Sequence, residues 1–102
     1  MDVMVVCRDR DDGTAAALRA AHLDAHLSYI ETILDRIRVA GPAYDADGHA
    51  VVGSLLVFAV ASVDEARALI TGDPYHRAGV WADIDIRPFK GVAGAWVGGK
   101  SW

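Results

Sequence analysis

The sequence predicts an α+β fold of the ferredoxin-like type, a βαββαβ chain whose four-stranded antiparallel sheet carries two helices on one face. Three observations carry this expectation. Strand-like and helix-like periodicities follow one another in that order along 102 residues, a length suited to one domain. The first and third strand segments are apolar on both faces, as the two central strands of this topology must be. Between the first two strands, Thr14 to Arg36 carries Leu23, Leu27, Ile30, Leu34 and Ile37 at spacings of four and three. Those spacings mark one side of a helix, and that side is expected to be buried.

Met1 to Cys7 is short and β-branched, with Val3, Val5 and Cys7 on one face and Met4 and Val6 on the other, so it reads as a central strand. Arg8 to Gly13 is a polar loop, and Thr14 is placed to cap the long helix. The pattern turns to strand near Ile37, where Gly41-Pro42 argues for an edge position because proline has no N–H to give a ladder. Asp45-Ala46-Asp47-Gly48 is turn chemistry that makes a hairpin with Val51 to Val60. Ser62-Val63-Asp64-Glu65 fits a capping box opening a second helix that stops at Gly72, and Asp73-Pro74 begins a short extra turn. Val80 to Phe89 alternates, placing Val80, Ala82, Ile84 and Ile86 on one side and Trp81, Asp83, Asp85 and Arg87 on the other. Residues 1–89 thus form the domain, and residues 90–102 are a Gly- and Trp-containing tail expected to be flexible or docked on a neighbour.

Helices on one side leave the other sheet face bare, whereas a water-facing sheet would alternate apolar and polar along every strand. A homodimer through that open face is therefore expected. A net charge of −4 argues against a nucleic-acid partner, which needs clustered Lys and Arg to displace counterions. A single cysteine, Cys7, allows no intrachain disulfide and reads as a small core residue. No apolar run approaches the ~20 residues of a membrane span, so a membrane protein is not expected, and the reading is a cytoplasmic one.

Beside the apolar stripe runs a second row, Arg19, His22, His26 and Tyr29, whose members are helical neighbours. Chain direction brings the start of this helix, the start of the third strand with Ser54, and the turn at Asp73 to one end of the fold. A cleft there could hold a small molecule. Each residue also has a plain structural reading: His26 as a half-buried helix histidine, Asp73 as an N-cap before proline, Ser54 as a backbone-bonded hydroxyl, Arg19 and Tyr29 as surface and packing residues. His22 and His26 have the spacing of two metal ligands, but a third would have to come from Asp73 or His76, and no metal or organic cofactor is expected. Gly94 to Ser101 spells the phosphate-loop pattern without a helix to follow it, so the match is rejected.

The ordered set His26-Leu27-Ser28-Tyr29-Ile30, Gly41-Pro42, Asp47-Gly48 with Gly53-Ser54-Leu55, Glu65-Ala66-Arg67, Asp73-Pro74-Tyr75, Ala78-Gly79 and Ile86-Arg87-Pro88-Phe89 resembles the YciI-like, or YCII-related, family. The resemblance implies a ferredoxin-like fold, a dimer whose sheets pack face to face, and an active-site pair falling on His26 and Asp73. It implies chemistry like that of the family's dehydrochlorinase branch, which acts on a chlorinated hydroxyhydroquinone. The resulting expectation is a lyase-type acid/base enzyme for a small aromatic or anionic molecule, with His26 as base, Asp73 orienting it, and Arg19, His22, Tyr29 and Ser54 shaping the pocket. The alternatives are a non-catalytic ligand-binding or dimerising accessory module and, by fold analogy alone, a cofactor-free monooxygenase.

Overall fold

A computed structural model describes all 102 residues. Strands β1 (Asp2–Asp9), β2 (Ile37–Tyr44), β3 (Val51–Ala59) and β4 (Trp81–Phe89) form one antiparallel sheet in the order β2-β3-β1-β4. The doubly apolar strands β1 and β3 are central, and β2, with Pro42, pairs only with β3. Helices α1 (Ala15–Thr32) and α2 (Val63–Thr71), with the one-turn helix α3 (Pro74–Arg77), connect the strands. No helix is long and apolar enough to cross a membrane.

Register decides which side chains share a face, since directly paired residues point the same way. Val3 pairs with Phe58, Val5 with Leu56 and Cys7 with Ser54, and all six are buried on the helix side. They meet Ala66, Leu69 and Ile70 of α2, together with Tyr75 and Val80, to make the core. The second helix is capped as its sequence requires: Ser62 Oγ accepts from the Glu65 amide, while the Glu65 carboxylate accepts from the amide of Ala61, one residue before the cap.

Cys7 is 1 % exposed, and burial, reinforced by the charge of Asp73, pushes its thiol up to about 12. The folded chain therefore favours the protonated thiol; this contribution is whole at neutral pH and is lost as pH rises from the ordinary thiol range toward 12. The expected result is no alkylation of the native chain at pH ~8 and stoichiometric alkylation in denaturant, read by mass spectrometry.

Five expectations need correction. Thr14 precedes α1 but makes no side-chain cap, because its amide and hydroxyl both donate to the Asp12 carboxylate two residues back. The long helix ends at Thr32; Ile33 is buried in the core, and Leu34–Arg36 form a separate 3-10 turn. The stripe is buried only in part: Leu23, Leu27 and Leu34 are 44, 49 and 59 % exposed, while Ile30 and Ile37 pack half-buried against the core. The first two overhang a cleft between α1 and the sheet instead of packing onto it. In β4 a bulge, with Arg8 opposite Asp83 and Asp9 opposite Trp81, skips Ala82 and moves Trp81 onto the helix side, where it is buried. The tail is also structured, as a hairpin of β5 (Ala93–Gly94) and β6 (Gly99–Lys100) around a 3-10 turn.

Candidate active site

The gap between α1 and the sheet is a cleft of about 260 Å³. One wall is α1, through Arg19, Leu23, His26, Leu27 and Ile30; Ala40, Gly41 and Pro42 of β2, Ser54 and Leu56 of β3, Tyr75 and Trp81 complete it. The volume sits just below the ~300 Å³ lower end of ligand pockets, so it suits a single ring better than a nucleotide. The walls are mostly apolar, and the polar groups are few and specifically held.

His26 faces Asp73 across 47 positions of sequence, with Nδ1 at 2.8 and 2.9 Å from the two carboxylate oxygens. Asp73 is 1 % exposed and His26's side chain 17 %. An ionised carboxylate only accepts, so Nδ1 carries the proton and donates it, leaving Nε2 as the basic atom of the neutral ring. Nε2 makes no hydrogen bond within the chain. Asp73 also accepts from the Tyr75 amide at 2.9 Å as the N-cap of α3, with Pro74 at the first helical position. One carboxylate both starts a turn of helix and orients an imidazole. Tyr75, carried on that turn, stacks on the His26 ring at 4.0 Å and 6° and meets Trp81 edge-on at 6.0 Å. Burial raises the Tyr75 phenol above its ordinary value, so it stays neutral at neutral pH.

The other polar group is Arg19. Its Nε and Nη2 donate to both oxygens of Asp9 at 2.8 and 2.7 Å, and Nη2 also donates to the Gly53 carbonyl and to Ser54 Oγ, each at 3.0 Å. Burial opposes the guanidinium charge, but the Asp9 carboxylate outweighs it and the pKa is raised. Gly53 must be glycine where β3 runs beside β1, because a Cβ there would collide with the Cys7 carbonyl oxygen. Arg19 is thus neutralised by its partner, and what it offers a ligand is the unbonded Nη1 edge more than a net charge. The Ser54 hydroxyl, accepting from Arg19, keeps its own proton free to donate.

Of the residues expected at the cleft, His26, Arg19 and Ser54 line it, and Asp73 stands directly behind His26. Tyr29 does not reach it: its hydroxyl donates to the Leu69 carbonyl at 2.6 Å and ties α1 to the end of α2. His22 is half-buried, makes no hydrogen bond and lies outside the lining. No three His, Cys, Asp or Glu side chains converge as metal ligands. Sequence reasoning passed over Asp9, Tyr75 and Trp81. Tyr75 had a visible signal, following Asp73-Pro74 directly, whereas Asp9 lay in a stretch read as loop and Trp81 was assigned to the wrong face. The inward turn of Trp81 leaves its Nε1 buried without a hydrogen-bond partner.

The chain is similar to several known proteins over nearly its whole length. The protein YciI of Escherichia coli O6:H1 and that of Shigella flexneri are each 28 % identical to it, over 88 % of this chain and 99 % of theirs. Among solved structures, the 5-chloro-2-hydroxyhydroquinone dehydrochlorinase TftG of Burkholderia phenoliruptrix AC1100, in complex with 2,5-dihydroxybenzoquinone, superposes with a TM-score of 0.79 at 28 % identity, covering 93 % of this chain and 97 % of that one. A protein of Agrobacterium tumefaciens shares the fold at a TM-score of 0.52 and 14 % identity, over 88 % of this chain and 92 % of that one. The family model of the YCII-related domain matches residues 1–90, all four sheet strands and the cleft included. The chain belongs to the YCII-related, YciI-like family.

Proposed function

We propose that the chain is a small-molecule acid/base enzyme of lyase type, in which His26 Nε2 exchanges a proton with a ligand in the cleft and Asp73 holds the imidazole in the required tautomer. The observation that carries this reading is the His26–Asp73 pair at 2.8 and 2.9 Å, its basic nitrogen left unbonded beside the cleft. Elimination needs a group that accepts a proton as the leaving group departs with the bonding electrons, and an imidazole with an unbonded ring nitrogen is suited to this. As the proton arrives, the imidazolium is stabilised by the carboxylate behind it.

The apolar walls and the Tyr75 face suit a flat ring, and the Arg19 Nη1 edge with the Ser54 hydroxyl suits an oxygen substituent on it. Likeness to the dehydrochlorinase supports a small oxygenated ring as substrate. Tyr29 and His22 take supporting places, Tyr29 by fixing the pitch of α1. The working protein is a cytoplasmic homodimer joined through the open sheet face, which would cover Leu55 and Val39. A structural reading of the pair has one observation in its favour, the use of Asp73 as a helix cap.

The test is binding and turnover with the compounds of the relative. A ligand at ~100 times its dissociation constant adds about 2.7 kcal/mol to the folded state. For a chain of this size that raises the melting midpoint by roughly 10 °C or more. We expect such a rise with 2,5-dihydroxybenzoquinone and chloride release from 5-chloro-2-hydroxyhydroquinone. Absence of both across a panel of oxygenated rings would leave the cap as the pair's only role.

A further inference from the structure

The family match ends at residue 90, and beyond it the chain folds a hairpin with no part in the cleft. Ala93 and Gly94 pair with Lys100 and Gly99, the Ser101 amide donates to the Val92 carbonyl at 3.0 Å, and Val97 packs so closely on Gly91 that a Cβ there would lie 2.9 Å from it. A hairpin built this firmly nonetheless carries Trp96 at 85 % exposure and Trp102 at 75 %.

The hairpin stands at the rim of the helix-free sheet face. There it walls a groove of about 720 Å³, with Trp96 and Val97 on one side and Met4, Leu55, Val57 and Phe89 among the sheet residues. Knob and groove thus lie on the same face of the same chain, the arrangement a two-fold axis makes self-complementary. Residues 90–102 hold Lys90 and Lys100 and no acidic side chain, while on the open face the acids Asp2, Asp83 and Asp85 stand among Arg38, Arg8 and Arg87, so the fit rests on shape and apolar area and not on charge.

We infer that the hairpin is a clamp for a second copy of this chain, each protomer laying Trp96 into the apolar groove of the other. This rests on the sheet-to-sheet homodimer proposed above and adds to it an element outside the family match. Burying a tryptophan at the centre of an interface commonly dominates its energetics, so loss of the indole has a large expected effect.

Sedimentation velocity on the full chain, with Leu55→Glu and Trp96→Glu variants, tests both levels. Both positions are solvent-exposed in the single chain, so neither change threatens its fold. The expected result is a wild-type dimer, a monomer for Leu55→Glu, and a dimer dissociation constant at least tenfold weaker for Trp96→Glu. In a Trp102→Phe background, the exposed indole fluorescence should shift to the blue only as concentration rises through the dissociation range. A wild-type dimer with undiminished affinity in Trp96→Glu overturns the clamp and leaves the sheet dimer standing. A monomeric wild type overturns both, and a blue-shifted Trp96 in monomer places the hairpin on its own sheet and overturns the clamp.

Discussion

Asp73→Asn is expected to lower kcat for the proposed elimination by about 10³ to 10⁴ while the melting midpoint stays close to that of the parent chain. The two effects separate because the carboxylate has two tasks. In the parent, Oδ1 accepts from the Tyr75 amide and both oxygens face His26 Nδ1. An asparagine keeps its carbonyl on the Tyr75 amide, and asparagine is as good a helix cap as aspartate. Its NH₂ then stands against Nδ1 and donates to it, which moves the imidazole proton to Nε2, the atom that has to be basic. His26→Ala, which removes the base itself, should cost about 10² to 10⁴ in kcat with the fold and the proposed dimer intact. Steady-state kinetics beside a thermal melt of each variant checks this. An Asp73→Asn protein that turns over within about threefold of the parent would defeat the acid/base assignment.

Arg19→Met is expected to destabilise the chain by about 3 to 5 kcal/mol, a large share of the stability of a domain this small. Asp9 is 5 % exposed at its side chain, and Arg19 is the only cation bonded to it. Removing the guanidinium leaves a buried carboxylate without compensation and strips donors from the Gly53 carbonyl and Ser54 Oγ. The double variant Asp9→Leu/Arg19→Met removes both charges and should recover most of the loss, since a buried ion pair exchanged for apolar groups is often near neutral. Urea denaturation of the two proteins measures the difference. If the single variant costs less than ~1 kcal/mol, the pair is solvated like a surface salt bridge.

Some of the fold and site was legible in residues a few positions apart. Ser62 and Glu65 announced the start of α2 because a capping box is closed within one turn of chain. Pro42 announced an edge strand because a missing N–H is a property of the residue alone. Val3, Val5, Leu56 and Phe58 announced central strands because a strand covered on both faces has no polar side to show. The stripe on α1 misled for a related reason: periodicity reports that one side of a helix avoids water, and a cleft wall satisfies that as well as a core does. Leu23 and Leu27 line the cleft, and the core contact at the end of α1 is made by Ile33, one residue off the stripe.

By itself the sequence determined the order of the elements, the two central strands, the turn at Asp73 and the shared end of the fold at which Arg19, Ser54 and Asp73 collect. The resemblance implied the pair His26 and Asp73, but only the tertiary structure decided which of the nearby polar side chains stand within hydrogen-bond reach. His26 finds Asp73 while His22, one helical turn earlier, finds nothing, and Arg19 finds Asp9 at the end of a strand read as loop. Trp81 changed faces because of a single skipped residue, Ala82, in the pairing of β4 with β1. The reason is physical. Local patterns constrain dihedral angles and the side of an element that seeks burial, but hydrogen bonds between segments tens of residues apart depend on strand register and helix tilt to within about an ångström. Those are set by how the whole core packs.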